Sequence, residues 1–167
     1  MKLNEYLLKN KKLYLIANPE HFSSQDDFLD AIAGALKKGA DILELQTKNI
    51  SPRKILEYGK KVRELCSIYN AMLIIQSRAD IGHILQADGI KLEHDDIDIK
   101  SARHLIGAHG VAGMEICTKS DMKTALDENP DFLTISSKIT DRELFKAVCD
   151  LNIPLFSINK NLIFLDV

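Results

Sequence analysis

Tryptophan is absent from this chain, and four Tyr and six Phe hold the aromatic content to 6% of 167 residues. That leaves few platforms on which nucleic-acid bases could stack. Net charge is scarce as well: 22 Lys and Arg against 24 Asp and Glu leave −2, so no field favours nucleic acid or an anionic membrane surface. No apolar run approaches the ~18 residues of a membrane span. The opening MKLNEYLLKNKK lacks the apolar core and small-residue cleavage site of a secretory leader. Cysteine is sparse, odd in number and widely spaced (Cys66, Cys117 and Cys149). This pattern points to free thiols in a reducing cytoplasm rather than a disulfide framework, and no CxxC pair offers a metal site. There is no GxGxxG, P-loop, HExxH or GxSxG motif, so dinucleotide and zinc-hydrolase chemistry have no support.

What remains is an ordinary composition, 46% hydrophobic and 28% charged, of a length that suits one domain over residues 1–167. Short apolar runs alternate with amphipathic ones. Strands are expected at Leu13–Ala17, Ile42–Thr47, Met72–Gln76, Gly89–Leu92, Val111–Cys117, Phe132–Ser136, Pro154–Ile158 and Leu162–Leu165. Helices are expected at Ser24–Lys38, Pro52–Tyr69 with Ser51 as N-cap, Ala79–Gln86, Ile99–Ile106, to about Leu126 with Ser120 as cap, and Asp141–Leu151. Strand followed by helix from end to end, with no linker, predicts an α/β domain with a parallel sheet. Eight strands point to a TIM-type (β/α)8 barrel, with an open doubly wound sheet as the competitor. Only Asn159, Lys160 and Asn161 separate the last two strands, whereas a parallel crossover needs about a dozen residues. The barrel is therefore shortened, with the helix between strands 7 and 8 missing. Its last strand either turns back antiparallel or leaves the barrel incomplete, and a homodimer would cover the seam.

The run Ile42-Leu43-Glu44-Leu45-Gln46-Thr47-Lys48 alternates apolar with polar residues, so one face of that strand is greasy and the other carries an acid, an amide and a base. By the same alternation Glu44, Lys91, Glu93 and Glu115 point into the barrel. Buried charges must be paired, so Lys91 is expected to meet Glu44 or Glu115, either lining a polar cavity or plugging the barrel. Lys48 lies at the carboxyl end of its strand, where barrel active sites sit, and reads as an anion contact or a solvated rim lysine.

Four segments resemble the thiamine-phosphate synthase/TenI superfamily, over about Leu13 to Ile158. YLIAN is similar to its first strand. GALKKGADILELQTK resembles "G-G-v-x-i-v-Q-L-R-x-K". VRELCSIYNAMLIIQSRADI resembles "L-C-x-x-y-g-v-p-L-I-I-N-D-R-v-D-l". ADGIKLEHDDIDIKSARHLIG resembles "A-D-G-v-H-L-G-Q-x-D-x-p-x-x-x-A-R-x-l-l-G". The resemblance implies a TIM barrel and a phosphorylated heterocycle as partner, a thiazole or pyrimidine phosphate at the carboxyl-terminal mouth. It also implies Mg2+ as the ion that holds the pyrophosphate released when the synthase joins an aminopyrimidine diphosphate to a thiazole phosphate.

Residue by residue, the family pattern changes here. Its leading Gln becomes Glu44, its Arg becomes Gln46, and its Lys is retained as Lys48. "N-D-R" becomes Gln76-Ser77-Arg78, so Ser77 replaces a metal-binding Asp, while the other acidic ligand falls on Asp96 beside Asp95. Glu115 stands for a Ser. Cys117 stands for the acid/base His of thiazole tautomerases. Ser136, Ser137 and Lys138 lie in the shortened loop after strand 6, and Asn159-Lys160 replaces a phosphate-cradling Gly-Gly. Losing Arg, Asp and Gly-Gly together removes a bidentate phosphate grip, a metal charge and a backbone nest. The resemblance thus leaves two readings: a transferase- or tautomerase-like protein with Lys48 and Cys117 as catalytic candidates, or an inactive barrel that binds a ligand or regulates a partner. His94 before Asp95-Asp96, and His21, read as loop histidines or weak metal candidates; Cys66 and Cys149 read as packing.

Overall fold

The computed structural model describes residues 8, 11, 13–107, 109–136, 139–151 and 153–157, with the backbone of 162–164. Its strands are β1 (Tyr14–Ala17), β2 (Ile42–Leu45), β3 (Met72–Gln76), β4 (Gly89–Leu92), β5 (Val111–Ile116), β6 (Phe132–Ile135), β7 (Leu155–Ser157) and β8 (Leu162–Phe164). The helices between them are α1 (Gln25–Lys37), α2 (Pro52–Ile68), α3 (Ala79–Ile84), α4 (Ile99–Ile106), α5 (Lys119–Glu128) and α6 (Arg142–Cys149). Neighbours pair in the order β7-β6-β5-β4-β3-β2-β1-β8, and every ladder is parallel. The expected barrel is therefore present, and the doubly wound sheet is not.

The last strand does not turn back: β8 runs parallel to β1, with Tyr14 opposite Leu162. Among the described residues no ladder joins β7 to β8, so the barrel is nearly closed, with one seam. Contacts across the sheet show the curl. The Tyr14 ring on β1 lies 5.0 Å from Phe156 on β7 and 6.2 Å from Phe132 on β6.

Alternation along the strands sorts the two faces. Leu15, Leu43, Leu45, Leu73 and Ile75 pack outward under α1 and α2 with Phe28, Ile32, Ile55 and Val62. Ile90, Leu92, Ala112, Ile116 and Leu133 pack outward with residues of α4, α5 and α6. The inward face holds Tyr14, Ile16, Ile42, Ile74, Val111, Phe132 and Phe156. Helix starts follow side-chain caps: Ser24, Ser51, Asp98 and Asp141 each accept a backbone N–H of the first turn. One expected cap moves. Thr118, not Ser120, caps α5, in a reciprocal capping box with Asp121. Cys149 also departs from expectation. It is exposed, because Leu144 and Val148 form the buried stripe of α6 while Phe145 and Cys149 form the outward one. Cys66 is fully buried.

A recurrent clamp ties the strand starts together. Asp41, Asp88 and Asp131 each stand immediately before an even-numbered strand. Their carboxylates accept the N–H of Leu13 at 3.1 Å, Leu73 at 2.7 Å and Ala112 at 2.8 Å, at the starts of the odd-numbered neighbours. Arg63 pairs with Asp88 at 2.6 Å and Arg103 with Asp131 at 3.1 Å. Hydrogen bonds to a charged acceptor contribute about 1.5–3 kcal/mol each. Asp88→Ala is therefore expected to lower unfolding stability by about 1.5–3 kcal/mol in urea. A loss within the ~0.5 kcal/mol typical of surface changes would show that the clamp contributes nothing.

Candidate functional site

Beneath the carboxyl ends of the strands, the inward face changes from apolar to charged. Lys91 on β4 is 4% exposed, and its Nζ lies 3.1 Å from Glu44 Oε1 on β2 and 3.1 Å from Glu115 Oε2 on β5. Only the Glu115 contact is aligned as a hydrogen bond. Glu44 Oε1 lies at the same distance from the ammonium, which compensates its charge. Glu44 Oε2 accepts the Tyr14 hydroxyl at 2.8 Å. The pairing expected from burial is thus present twice over, with one ammonium between two carboxylates.

Burial works against the Lys91 charge, but Glu44 and Glu115 outweigh it and hold the ammonium well above the ordinary lysine value. A lysine held protonated in this way is neither a Schiff-base nucleophile nor a general base at neutral pH. Burial and then the Glu44 carboxylate push the Tyr14 phenol well above its ordinary value, so it remains a donor.

Above this layer a second network crosses the rim. Gln76 Oε1 accepts the Thr47 N–H at 3.1 Å, and the Thr47 hydroxyl donates to the Gln76 carbonyl at 2.8 Å. Gln76 Nε2 donates to Glu93 Oε1, and Lys48 Nζ lies 3.9 Å from Glu93 Oε2. The Lys48 side chain is 72% exposed, so it is a rim cation with its reach into solvent intact. Gln46 is half-buried. Ser77 takes a left-handed backbone (φ 59°) and donates its N–H to the Lys91 carbonyl at 2.9 Å.

Among the described residues of the mouth, magnesium finds no matching donor set. Ser77 offers no charge. Asp96 Oδ2 accepts the Glu93 N–H at 2.7 Å, while the Asp96 N–H donates to the Glu93 carbonyl at 3.2 Å. Asp96 therefore shapes the turn after β4. Among the described residues no group of three His, Cys, Asp or Glu could hold a metal ion.

On the β5 side, Cys117 is exposed. Partial burial of its thiol, followed by Glu115, Asp121 and Glu93, raises its pKa, and a hydrogen bond with Ser136 only partly offsets this. A raised thiol pKa removes the thiolate that a nucleophile needs. Asp121, 2% exposed, accepts the N–H groups of Cys117 and Thr118 at 2.9 and 2.8 Å and contacts His94 Nδ1 at 2.8 Å. Burial opposes its ionisation, but the backbone donors and His94 hold the carboxyl below its usual range. His94, read from sequence as a loop histidine, is an exposed loop residue, and its contact with Asp121 anchors it there.

Ser136 is buried at the end of β6. Ser137, Lys138, Asn159 and Lys160 lie outside the described residues. Two interior groups escaped the sequence reading: Tyr14, and Thr134, which is 4% exposed with no partner for its hydroxyl among the described residues. Both alternate onto the inward face, which was the available signal.

Comparison with known proteins points one way. The family model for thiamine monophosphate synthase matches residues 13–141. A thiamine-phosphate synthase of Campylobacter jejuni is 30% identical over 156 residues, covering 86% of this chain and 72% of that protein. The Clostridioides difficile enzyme of the same name is 33% identical over 136 residues, covering 81% and 64%. That of Nostoc punctiforme is 32% identical over 129 residues, covering 77% of this chain but 35% of its own length. Among solved structures, a thiamine phosphate pyrophosphorylase from Pyrococcus furiosus superposes with a TM-score of 0.76 at 24% identity, over 90% of this chain and 76% of that one. Citrate synthase SbnG shares the fold alone, with a TM-score of 0.61 at 13% identity, over 89% and 76%.

Proposed function

This chain belongs to the thiamine monophosphate synthase family, and from that premise we propose that it binds a thiazole or pyrimidine phosphate at the carboxyl-terminal mouth of its barrel, without Mg2+-dependent transfer of a pyrimidine to the thiazole and release of pyrophosphate. The supporting observation is the pairing of a retained rim cation with a dismantled transfer site. Lys48 stands exposed beside Glu93, whereas Gln46, Ser77 and a turn-forming Asp96 occupy the positions of the family's arginine and metal ligands.

In this reading Lys48 holds the phosphate as a point charge. Gln46, Gln76, Ser77 and Ser136 line the mouth, together with the exposed edge of Glu115. Glu44 and Lys91 form its floor, and none of these residues relays a proton or attacks the ligand. Ser137, Lys138, Asn159 and Lys160 are assigned to the phosphate side by resemblance only.

Calorimetric titration with thiazole phosphate tests this. Saturable binding is expected, unchanged by removing Mg2+ with a chelator, and Lys48→Met should weaken it about tenfold by losing one charge-assisted contact. Lys48 lies on the surface, so this variant should keep its unfolding midpoint. Binding that vanishes without Mg2+, or that ignores Lys48→Met, contradicts the proposal.

A further inference from the structure

The outer side of α4 exposes large apolar side chains to solvent. Ile97, just before the helix, and Leu105, in its last turn, are both exposed. They stand four residues to either side of Ser101, so the three share one side of the helix. The small Ser101 between two large side chains leaves a notch, and the largely apolar groove there measures about 870 Å³. Both neighbouring helices widen the face. His83 on α3 contacts the Leu105 carbonyl at 2.8 Å, and the next residue, Ile84, is exposed. On the other flank Arg103 donates to the Asn129 carbonyl at the end of α5, where Leu126 is exposed. Single surface apolar residues are ordinary, but four on three adjoining helices make a patch that marks a contact surface.

The charges on this face identify the partner. Asp98 stands at its start, where the N–H and hydroxyl of Ser101 hold the carboxyl below its usual range. Lys100 and His104 follow it. The face is thus acidic at one end and basic toward the other. A second α4 laid antiparallel and crossing at Ser101 sets Ile97 of each copy opposite Leu105 of the other. It sets Asp98 opposite His104, with Lys100 one turn away, and brings the two Ser101 residues together where the backbones come closest. Such self-complementarity, in apolar contacts and in charge, is what a two-fold interface requires. We propose that the outer face of α4 is the contact surface of a homodimer, with the two-fold axis passing through Ser101. The interface lies over β4 and β5, in the middle of the sheet, and not at the seam beside β7.

Sedimentation equilibrium measures the mass directly. At ~100 µM protein, well above the ~1 µM dissociation constant of a modest specific pair, it should return twice the 18.8 kDa of the chain. Leu105→Lys should weaken the association at least about tenfold and, at an exposed position, keep the unfolding midpoint of the parent. The axis is tested by self-cross-linking, in a chain whose exposed Cys117 and Cys149 are changed to Ser. Ser101→Cys should form an intermolecular disulfide under mild oxidation, because a residue on the axis meets its own copy within the ~7 Å Cα separation that a disulfide spans. Lys60→Cys, exposed on α2, should not. A monomer at that concentration overturns the proposal. So does a dimer that Leu105→Lys leaves intact, or one that Ser101→Cys fails to cross-link, since either puts the contact on another face.

Discussion

Lys91→Met is expected to lower unfolding stability by about 3–5 kcal/mol, the cost of removing one partner from a buried ion pair. The substitution keeps much of the volume of the lysine stem, so the loss is electrostatic. Glu44, with no exposed surface, and Glu115 would be left facing each other without the ammonium that both now contact at 3.1 Å. Urea denaturation followed by circular dichroism measures the change. The triple variant Glu44→Gln/Lys91→Met/Glu115→Gln should recover most of the loss, because neutral groups of similar shape carry no uncompensated charge.

The pH dependence has a definite sign. The folded Lys91 pKa is raised, so its contribution is fully present below the ordinary lysine value of ~10.4 and is lost only as pH rises through the higher folded value. The contribution of Lys91 to the parent chain should therefore be level from about pH 6 to 9. A loss under about 1 kcal/mol would mean that water, not the two carboxylates, solvates Lys91.

Phe132→Ala should cost a comparable amount, about 3–5 kcal/mol. Phe132 is 1% exposed at the apolar end of the barrel interior, with Tyr14 at 6.2 Å and Phe156 at 6.1 Å between ring centroids. Its ring fills the space above Gly113, where an added Cβ would run into the ring atoms. Gly113→Ala should therefore destabilise by about 1–3 kcal/mol in the parent chain but much less in the Phe132→Ala background. The coupling free energy of that double-mutant cycle is the measurement. Additive effects would show that the two residues do not share one packing space.

The barrel and its polar floor were legible because alternation is a local signal. Glu44 between Leu43 and Leu45 must face away from the helices that cover those leucines, and the cost of an unpaired buried charge then demands Lys91. Other features depended on contacts distant in sequence. Tyr14 meets Glu44 only because β1 and β2 pair with Tyr14 opposite Ile42. His94 is anchored because Asp121, 27 residues later, is turned toward it by the Thr118 capping box. That box was written in the spacing Thr118-Lys119-Ser120-Asp121, but the neighbouring Ser120 offered an equally good cap by type. Cys149 was misplaced by one position on a helix of eight residues, where a shift of 100° carries a side chain from the core to the surface. The direction of β8 was not readable, since a short linker argues against the parallel pairing with β1 that the backbone adopts.

Pyrophosphate release from an aminopyrimidine diphosphate and thiazole phosphate, with saturating Mg2+ and this protein, is the most direct test of a mouth that binds without transferring. The expected result is thiazole phosphate binding with no release above the protein-free rate over many equivalents of substrate. Sustained multiple-turnover release, abolished by Lys48→Met, would contradict it and place pyrimidine transfer on a donor set without the arginine and the first metal-binding aspartate.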